Sequence, residues 1–142
     1  MTATPHLLAV EDWPAWAYRL KPQLARMAAG SGGRYVADDI DHALWSGRML
    51  AWVAEHRGKV VCLILTETID YPRFRALRLV GCVGERPHTW LHLGAWLEQR
   101  AVELGCQRLE ALHPPKLQDL LRAWSSEWRV FHTLSEMKLC DT

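Results

Sequence analysis

The chain has 142 residues and a mass of 16.3 kDa, which is the size of one domain with a single hydrophobic core. Hydrophobic residues make up 49% and charged residues 23%, proportions that exclude a disordered or collagen-like protein. The net charge is +1 without a basic cluster, which argues against a nucleic-acid partner. No apolar run reaches the roughly 18 residues of a membrane span. The sequence therefore predicts one domain over residues 1–142.

Helical periodicity dominates the first third of the chain. Apolar residues at intervals of three and four predict an amphipathic helix over residues 13–27. The glycine-rich residues 30–33 end that helix, and a second helix is predicted over residues 38–46. A short strand over residues 7–10 can precede both helices, so two helices come before any strong strand.

The pattern then changes to runs of β-branched and aromatic residues. Residues 49–56 and 59–69 are predicted strands, and Arg57-Gly58 between them forms a two-residue loop that suits an antiparallel hairpin. Residues 60–65 are apolar without alternation, as expected of a central strand covered on both faces. This part of the sequence predicts a sheet with helices on both sides.

A strand, helix and strand follow over residues 76–83, 90–104 and 106–112. Such a crossover places its two strands parallel and close together. A helix to about Trp124 and an extended region over residues 128–139 complete the chain. The predicted fold is α+β, with a mixed sheet of six to seven strands in the order (β)ααβββαβαβ(β).

The crossover also indicates where a ligand binds. In mixed α/β sheets the ligand lies where a strand feeds its helix, because the helix N-terminus offers free N–H groups and a positive dipole end. Here that region is residues 81–89. Gly81 and Gly84 are interpreted either as a phosphate-binding loop or as a strand bulge or tight turn.

Other reactive side chains are scattered along the chain. His88 and His92 have the spacing of metal ligands on a helix, but no third ligand accompanies them, so no metal site is predicted. Trp96 is predicted on a polar helix face, where an exposed indole indicates a contact surface for a protein partner. The cysteines are interpreted as reduced, structural thiols because no two lie close in sequence: Cys62, Cys82, Cys106 and Cys140.

The element order and several short motifs together resemble the GNAT acetyltransferase superfamily, and in particular the small GNAT-like proteins of tailed phages. The resemblance extends from about residue 43 to residue 139. Its motifs are Trp45-Ser46-Gly47-Arg48, Trp52-Val53-Ala54-Glu55, Gly58-Lys59-Val60-Val61, Thr66-Glu67 with Tyr71-Pro72, Gly81 with Gly84 and Trp90, Gly105-Cys106, and Trp128 before residues 134–139.

The resemblance implies acetyl-CoA as cofactor, with its pyrophosphate held by the backbone of the loop after the strand. It also implies a wedge-shaped opening in the sheet, with amide hydrogens around Gly84 pointing outward at its mouth. The matching residues here are Gly81, Cys82, Val83, Gly84 and Arg86. Only Gly84 fits the family pattern of Gln or Arg, two free positions, Gly, one free position and Gly or Ala. Glu85 adds a negative charge, Pro87 lacks an N–H, and Arg86 can reach a phosphate as a charged donor.

The resemblance also implies a base that removes a proton from the acceptor amine, and often a tyrosine that protonates the leaving thiolate. Ala123 occupies the approximate tyrosine position. Glu67 and Glu110 are the carboxylates available as base, and His113, after a strand end, can face the thioester. A solvated strand-end Glu67 and a surface turn histidine at position 113 are the alternative interpretations.

Two functions are consistent with these residues. The first is an N-acetyltransferase that moves acetyl from acetyl-CoA to an amine. The second is a catalytically degenerate GNAT fold that serves as a phage accessory or virion-associated protein through protein contacts. The N-terminus has no basic segment before an apolar core, so the expected location is the cytoplasm, that of the host or the virion for a phage protein.

Overall fold

A five-stranded mixed sheet forms the centre of the computed structural model, which describes residues 2–140. The strands follow one another in chain order across the sheet. The first four pair antiparallel, and the last pairs parallel to the fourth. They are β1 (Thr4–Leu8), β2 (Leu50–His56), β3 (Lys59–Asp70), β4 (Arg75–Gly84) and β5 (Arg108–Ala111). The α+β class and the mixed sheet are as predicted.

Three helices between β1 and β2 cover one face of this sheet, and two further helices follow β4 and β5. They are α1 (Trp13–Ala17), α2 (Lys21–Ala29), α3 (Ala37–Trp45), α4 (Gly94–Glu103) and α5 (Gln118–Trp124). None of the helices in the described part of the chain is long and apolar enough to cross a bilayer.

The predicted first helix is divided in two by Pro22. Proline has no N–H to donate, and its ring clashes with the carbonyl four residues earlier, here that of Tyr18. The chain therefore leaves the helix after Ala17, and α2 begins with the Lys21-Pro22 pair in its first turn. Proline is tolerated there because first-turn N–H groups lack partners within the helix.

The two faces of the sheet have separate cores, as the uninterrupted apolar run of β3 predicts. Leu63 and Leu65 of β3 pack with Trp13 and Leu20 beneath α1 to α3. On the opposite face Trp52 packs with a group from β4 and α4 and their connections: Leu77, Leu97, Ala101 and Cys106. A central strand buried on both sides holds the two helical layers together.

Trp96 is partly buried against this second core and is not the exposed indole that the sequence predicts. Its ring meets the edge of Trp52 with the centroids 5.6 Å apart. The indole packs beside the α4 residues that face the sheet. Two 3₁₀ turns, Pro87–Thr89 and Leu91–Leu93, replace the predicted first turn of the helix. The directions in which the α4 side chains point therefore differ from those of one continuous helix.

The prediction of six to seven strands is not confirmed, since the described residues contain five. Residues 126–140 form neither helix nor strand. Phe131, Met137 and Leu139 are between 71% and 86% exposed in this tail. An alternating pattern forms a strand only where a neighbouring strand accepts its hydrogen bonds, and here the tail adds no strand to β5.

Candidate functional site

The short strand β5 pairs with only the first part of β4. They are paired from Ala76 and Arg108 to Leu79 and Ala111. The last bond between them runs from the Leu112 N–H to the Leu79 carbonyl at 3.1 Å. Residues 80–84 continue β4 beyond this point, so one backbone edge of β4 has no strand beside it. The space beside this free edge, called the opening below, is where the resemblance implies a wedge-shaped gap between the two strands.

A β-bulge marks the start of that free edge. Leu65 pairs with Gly81 and the next residue, Thr66, pairs with Leu79, so Val80 is an extra residue in β4. Bulges redirect backbone groups and occur next to active sites. Gly81 is required beside it, because a Cβ on Gly81 would lie 2.1 Å from the Met27 sulfur of α2.

The indole of Trp90 covers the end of the free edge. A Cβ on Gly84 would lie 2.8 Å from Cζ2 of Trp90. The indole Nε1–H of Trp90 donates to the Glu85 carbonyl at 2.7 Å. Trp90 is only 7% exposed. The opening is therefore closed on this face at the glycine that best matches the phosphate-loop pattern.

Most amides of the loop after β4 are already bonded within the fold. The Glu85 N–H donates to the Val61 carbonyl at 2.8 Å. The N–H groups of Thr89, Trp90 and Leu93 close the two 3₁₀ turns, and Pro87 has none. The amides of Arg86 and His88 take part in none of these turn bonds. Arg86 has a left-handed backbone with φ of 50°.

The start of α4 is covered by a second indole. A Cβ on Gly94 would lie 2.1 Å from the Trp124 Nε1 atom, so Trp124 of α5 packs directly on the first turn of α4. Its N–H donates to the Glu98 carboxylate at 2.9 Å. The apolar cavity between these indoles and the sheet has a volume of about 40 Å³, whereas small-molecule sites measure roughly 300–1,000 Å³.

Cys82 and Val83 point to opposite faces of β4 rather than into the opening. Val83 packs in the core beneath α2. Cys82 lies against Cys62 on the other face. A hydrogen bond between the two thiols raises the pKa of Cys62, as does its burial, and lowers the pKa of Cys82. Both thiols therefore belong to the packing around the candidate site.

Glu67 lies on the sheet face that carries α1 to α3, two residues beyond the buried Leu65 of β3. It is directly opposite Arg78 of β4, and Arg78 is in turn opposite Glu110 of β5. Directly paired residues share a face. Three charged side chains from three strands therefore stand in a row beside the bulge at Val80.

A hydrogen-bonded network holds two members of this row. Arg78 Nε donates to Glu110 Oε1 at 2.9 Å, and the Tyr71 hydroxyl donates to the same oxygen at 2.7 Å. Arg78 Nη2 also donates to the Tyr71 hydroxyl at 3.1 Å. The two bonds from Arg78 orient its guanidinium toward Glu110. Glu67 therefore has no ion pair among residues 2–140.

The network shifts the pKa of its members. The hydrogen bond to the Glu110 carboxylate raises the pKa of Tyr71, because ionising the phenol would place two negative charges together. Burial acts to lower the pKa of Arg78, but the hydrogen bond and charge of Glu110 outweigh it and raise the pKa. The guanidinium and the phenol both keep their protons at neutral pH.

His113 lies two residues after the end of β5, just beyond the last bond between β5 and β4. Its Nδ1 is 2.7 Å from the Pro114 carbonyl. A carbonyl only accepts hydrogen bonds, so Nδ1 carries the proton. In the neutral ring the Nε2 atom then has a free lone pair, which is the form that accepts a proton.

The structure thus brings the predicted residues to two sides of one opening. Gly81 and Gly84 lie on β4 and His113 follows β5, while Glu67 is one strand further away on β3. Sequence reasoning missed the role of Arg78. A charged residue in the apolar pattern of β4 was the available signal. No three His, Cys, Asp or Glu side chains among residues 2–140 are grouped to hold a metal ion.

Comparison with known proteins assigns the fold. No protein-family model and no curated protein sequence matches the chain, but solved acetyltransferases of the GNAT fold superpose on nearly all of it. A ribosomal-protein-alanine N-acetyltransferase from Brucella melitensis biovar Abortus 2308 has a TM-score of 0.71 at 18% identity. The alignment covers 99% of this chain and 100% of that one.

Two further neighbours were solved with ligands. An aminoglycoside acetyltransferase from an uncultured soil metagenomic sample, in complex with sisomicin, has a TM-score of 0.66 at 16% identity, over 96% of this chain and 97% of that one. A predicted acetyltransferase from Clostridium acetobutylicum with acetyl-CoA has a TM-score of 0.61 at 12% identity, over 97% of both chains. The chain has the GNAT acetyltransferase fold.

Proposed function

We propose that this protein is a GNAT N-acetyltransferase that transfers acetyl from acetyl-CoA to an amine. The observation that carries the proposal is the free backbone edge of residues 80–84, which begins at the bulge of Val80 and lies beside His113. Solved proteins of this fold with acetyl-CoA or an aminoglycoside bound support it.

The free edge of β4 fits the pantetheine arm of acetyl-CoA. An extended chain with amide groups can bond to an unpaired strand edge in the same way as an added β-strand. For the phosphates the fit depends on Arg86, through its guanidinium and amide, and on the amide of His88. Arg26 of α2 lies 3.8 Å from the Glu85 carboxylate and offsets part of its negative charge. Both of those side chains are exposed, so that offset is small.

Proton transfer is assigned to Glu67 or His113. Acetyl-CoA supplies a thioester carbonyl that an amine can attack, but an ammonium ion has no lone pair and must first lose a proton. The Nε2 atom of His113 and the carboxylate of Glu67 can each accept that proton. Bond formation from nitrogen to the carbonyl carbon is followed by cleavage of the carbon–sulfur bond, and the leaving thiolate takes up a proton.

A second candidate function is protein recognition without acetyl transfer. The position of Trp90 favours it, because its indole fills the space beside Gly84, a glycine that the resemblance assigns to the cofactor. Acetyl-CoA can bind in two ways. It can lie along the outer edge of β4 with the Trp90 side chain in place, or it can lie against Gly84 after the Trp90 side chain has turned away.

Thermal unfolding with coenzyme A distinguishes the two candidates. A ligand at one hundred times its Kd adds about 2.7 kcal/mol, which raises the Tm of a chain of this length by about 8–10 °C. Adenosine 3′,5′-bisphosphate serves as the matched ligand that lacks the pantetheine arm. No shift with millimolar coenzyme A would overturn the acetyltransferase proposal.

Release of free thiol from acetyl-CoA then tests the bases. Sisomicin and a peptide with an N-terminal alanine are suitable trial amines. Glu67→Gln and His113→Gln are compared with Glu11→Gln, a matched change in the exposed turn before α1. Loss of the general base costs about 10²- to 10⁴-fold in kcat. Unchanged kcat in both site variants would refute the assignment.

A further inference from the structure

A second cleft lies in the layer formed by helices α1 to α3. It has a volume of about 370 Å³ and is open to solvent. The loop between α2 and α3, the outer side of α3 and the connection from α3 to β2 form its walls. Five side chains line it: Arg34, Tyr35, Asp39, His42 and Arg48.

The charge of this cleft is positive. Arg34 and Arg48 are permanently charged, and the single acidic group is Asp39. The Asp39 carboxylate already accepts a hydrogen bond from the Val36 N–H at 2.9 Å, at the start of α3. The Arg48 guanidinium forms no ion pair among residues 2–140. The cleft therefore offers charged donors to an incoming anion.

A carboxylate from the tail of the same chain already lies at this cleft. Arg34 Nη2 donates to Glu136 Oε2 at 2.5 Å. Glu136 belongs to residues 126–140, which have no regular secondary structure. Arg34 is also held by a bond from Nη1 to the Ser31 carbonyl at 3.3 Å. One arginine of the cleft thus pairs with an acidic side chain carried on an irregular, exposed backbone.

The contact between tail and cleft is weak enough to be displaced. The side chains of Arg34 and Glu136 are 40% and 67% exposed, and exposed ion pairs of this kind change an equilibrium by a factor of about 1.4 to 5. A ligand that engages both arginines gains contacts that Glu136 does not make in this structure.

We propose that this cleft binds the glutamate side chain of a peptide like the tail segment, residues 130–139, and that Glu136 of the same chain competes for Arg34. The planar guanidinium fork of arginine suits carboxylate recognition. The proposal is independent of acetyl transfer, because it requires neither coenzyme A nor the opening between β4 and β5.

Fluorescence anisotropy with the full-length chain tests the proposal. The probe is a fluorescein-labelled peptide with the sequence of residues 130–139, and its twin has glutamine in place of the glutamate. The Glu136→Gln chain is expected to bind the glutamate probe about two- to fivefold more tightly than the wild-type chain, and about fivefold more tightly than the twin. Arg48→Gln in that background is expected to weaken binding about fivefold.

The controls separate this site from general charge and from small carboxylates. Arg73→Gln removes an exposed arginine from the turn between β3 and β4, outside the cleft, and should leave the Kd unchanged. Tm values confirm that the variants fold. Equal binding of the two probes, or an Arg73→Gln effect as large as that of Arg48→Gln, would overturn the proposal. Arg48-dependent binding of citrate without binding of the probe would overturn the peptide as ligand.

Discussion

The hydrogen bond between Trp52 and Thr66 offers a direct test of the second core. Trp52 Nε1 donates to Thr66 Oγ1 at 2.7 Å, and the two residues are 3% and 0% exposed. Thr66→Val keeps the shape of the side chain but removes the acceptor. The indole N–H is then buried without a partner, because water cannot reach it.

An unsatisfied buried donor costs about 1–3 kcal/mol. For a chain of this length that corresponds to a fall in Tm of about 3–10 °C. Urea unfolding followed by far-UV circular dichroism gives the free energy of unfolding. Thr68→Val is the matched control, since Thr68 lies on the same face of β3 but is exposed, and its replacement should change stability by less than about 0.5 kcal/mol.

A double-mutant cycle with Trp52→Phe isolates the hydrogen bond from packing. Phenylalanine has no N–H, so Thr66→Val should cost at least about 1 kcal/mol less in that background than in the wild-type chain. An equal cost in both backgrounds would show that Thr66 stabilises the fold by another route. A Thr66→Val chain as stable as the wild-type chain would refute the reasoning outright.

Two measurements as a function of pH test the remaining electrostatic assignments. The Arg19 hydrogen bond lowers the pKa of Glu55, with His6 contributing, so Glu55 stabilises the fold above its unfolded pKa and this is lost as pH falls through the folded value. Urea unfolding should show Glu55→Gln about 0.5–1 kcal/mol less stable than the wild-type chain at about pH 6. The difference should shrink as pH falls through the folded pKa of Glu55, and a difference that is constant with pH contradicts this. Glu110→Gln should lower the raised pKa of Tyr71 in phenolate absorbance, and an unchanged titration curve refutes the network.

Much of the fold was predictable because its signals are local. The hairpin of β2 and β3 follows from two β-rich runs around Arg57-Gly58, and both residues have the positive φ that such a tight turn uses. The helix predicted over residues 38–46 is α3, Ala37–Trp45. The break at Pro22 was also readable in the sequence, but the apolar stripe continues across it and favours one helix.

The candidate site was less predictable. The position of Gly84 in the crossover pointed to it as a binding residue. Whether its amide can reach a ligand depends on which side chain packs over it. Trp90 is buried in the core, and the 3₁₀ turns before α4 place its indole against Gly84. The contact of Tyr71 with Glu110 joins residues 39 apart, and no spacing rule connects them.

Most of the elements and the mixed sheet followed from the amino-acid sequence alone, because periodicity, turn residues and the crossover between β4 and β5 act over short stretches of chain. The packing of the folded chain was needed to place Trp90 over Gly84 and Trp124 over Gly94, to turn Arg78 toward Glu110 and to bring the tail to Arg34. These features are contacts between side chains on different elements, and such contacts depend on how the elements pack rather than on what each one is.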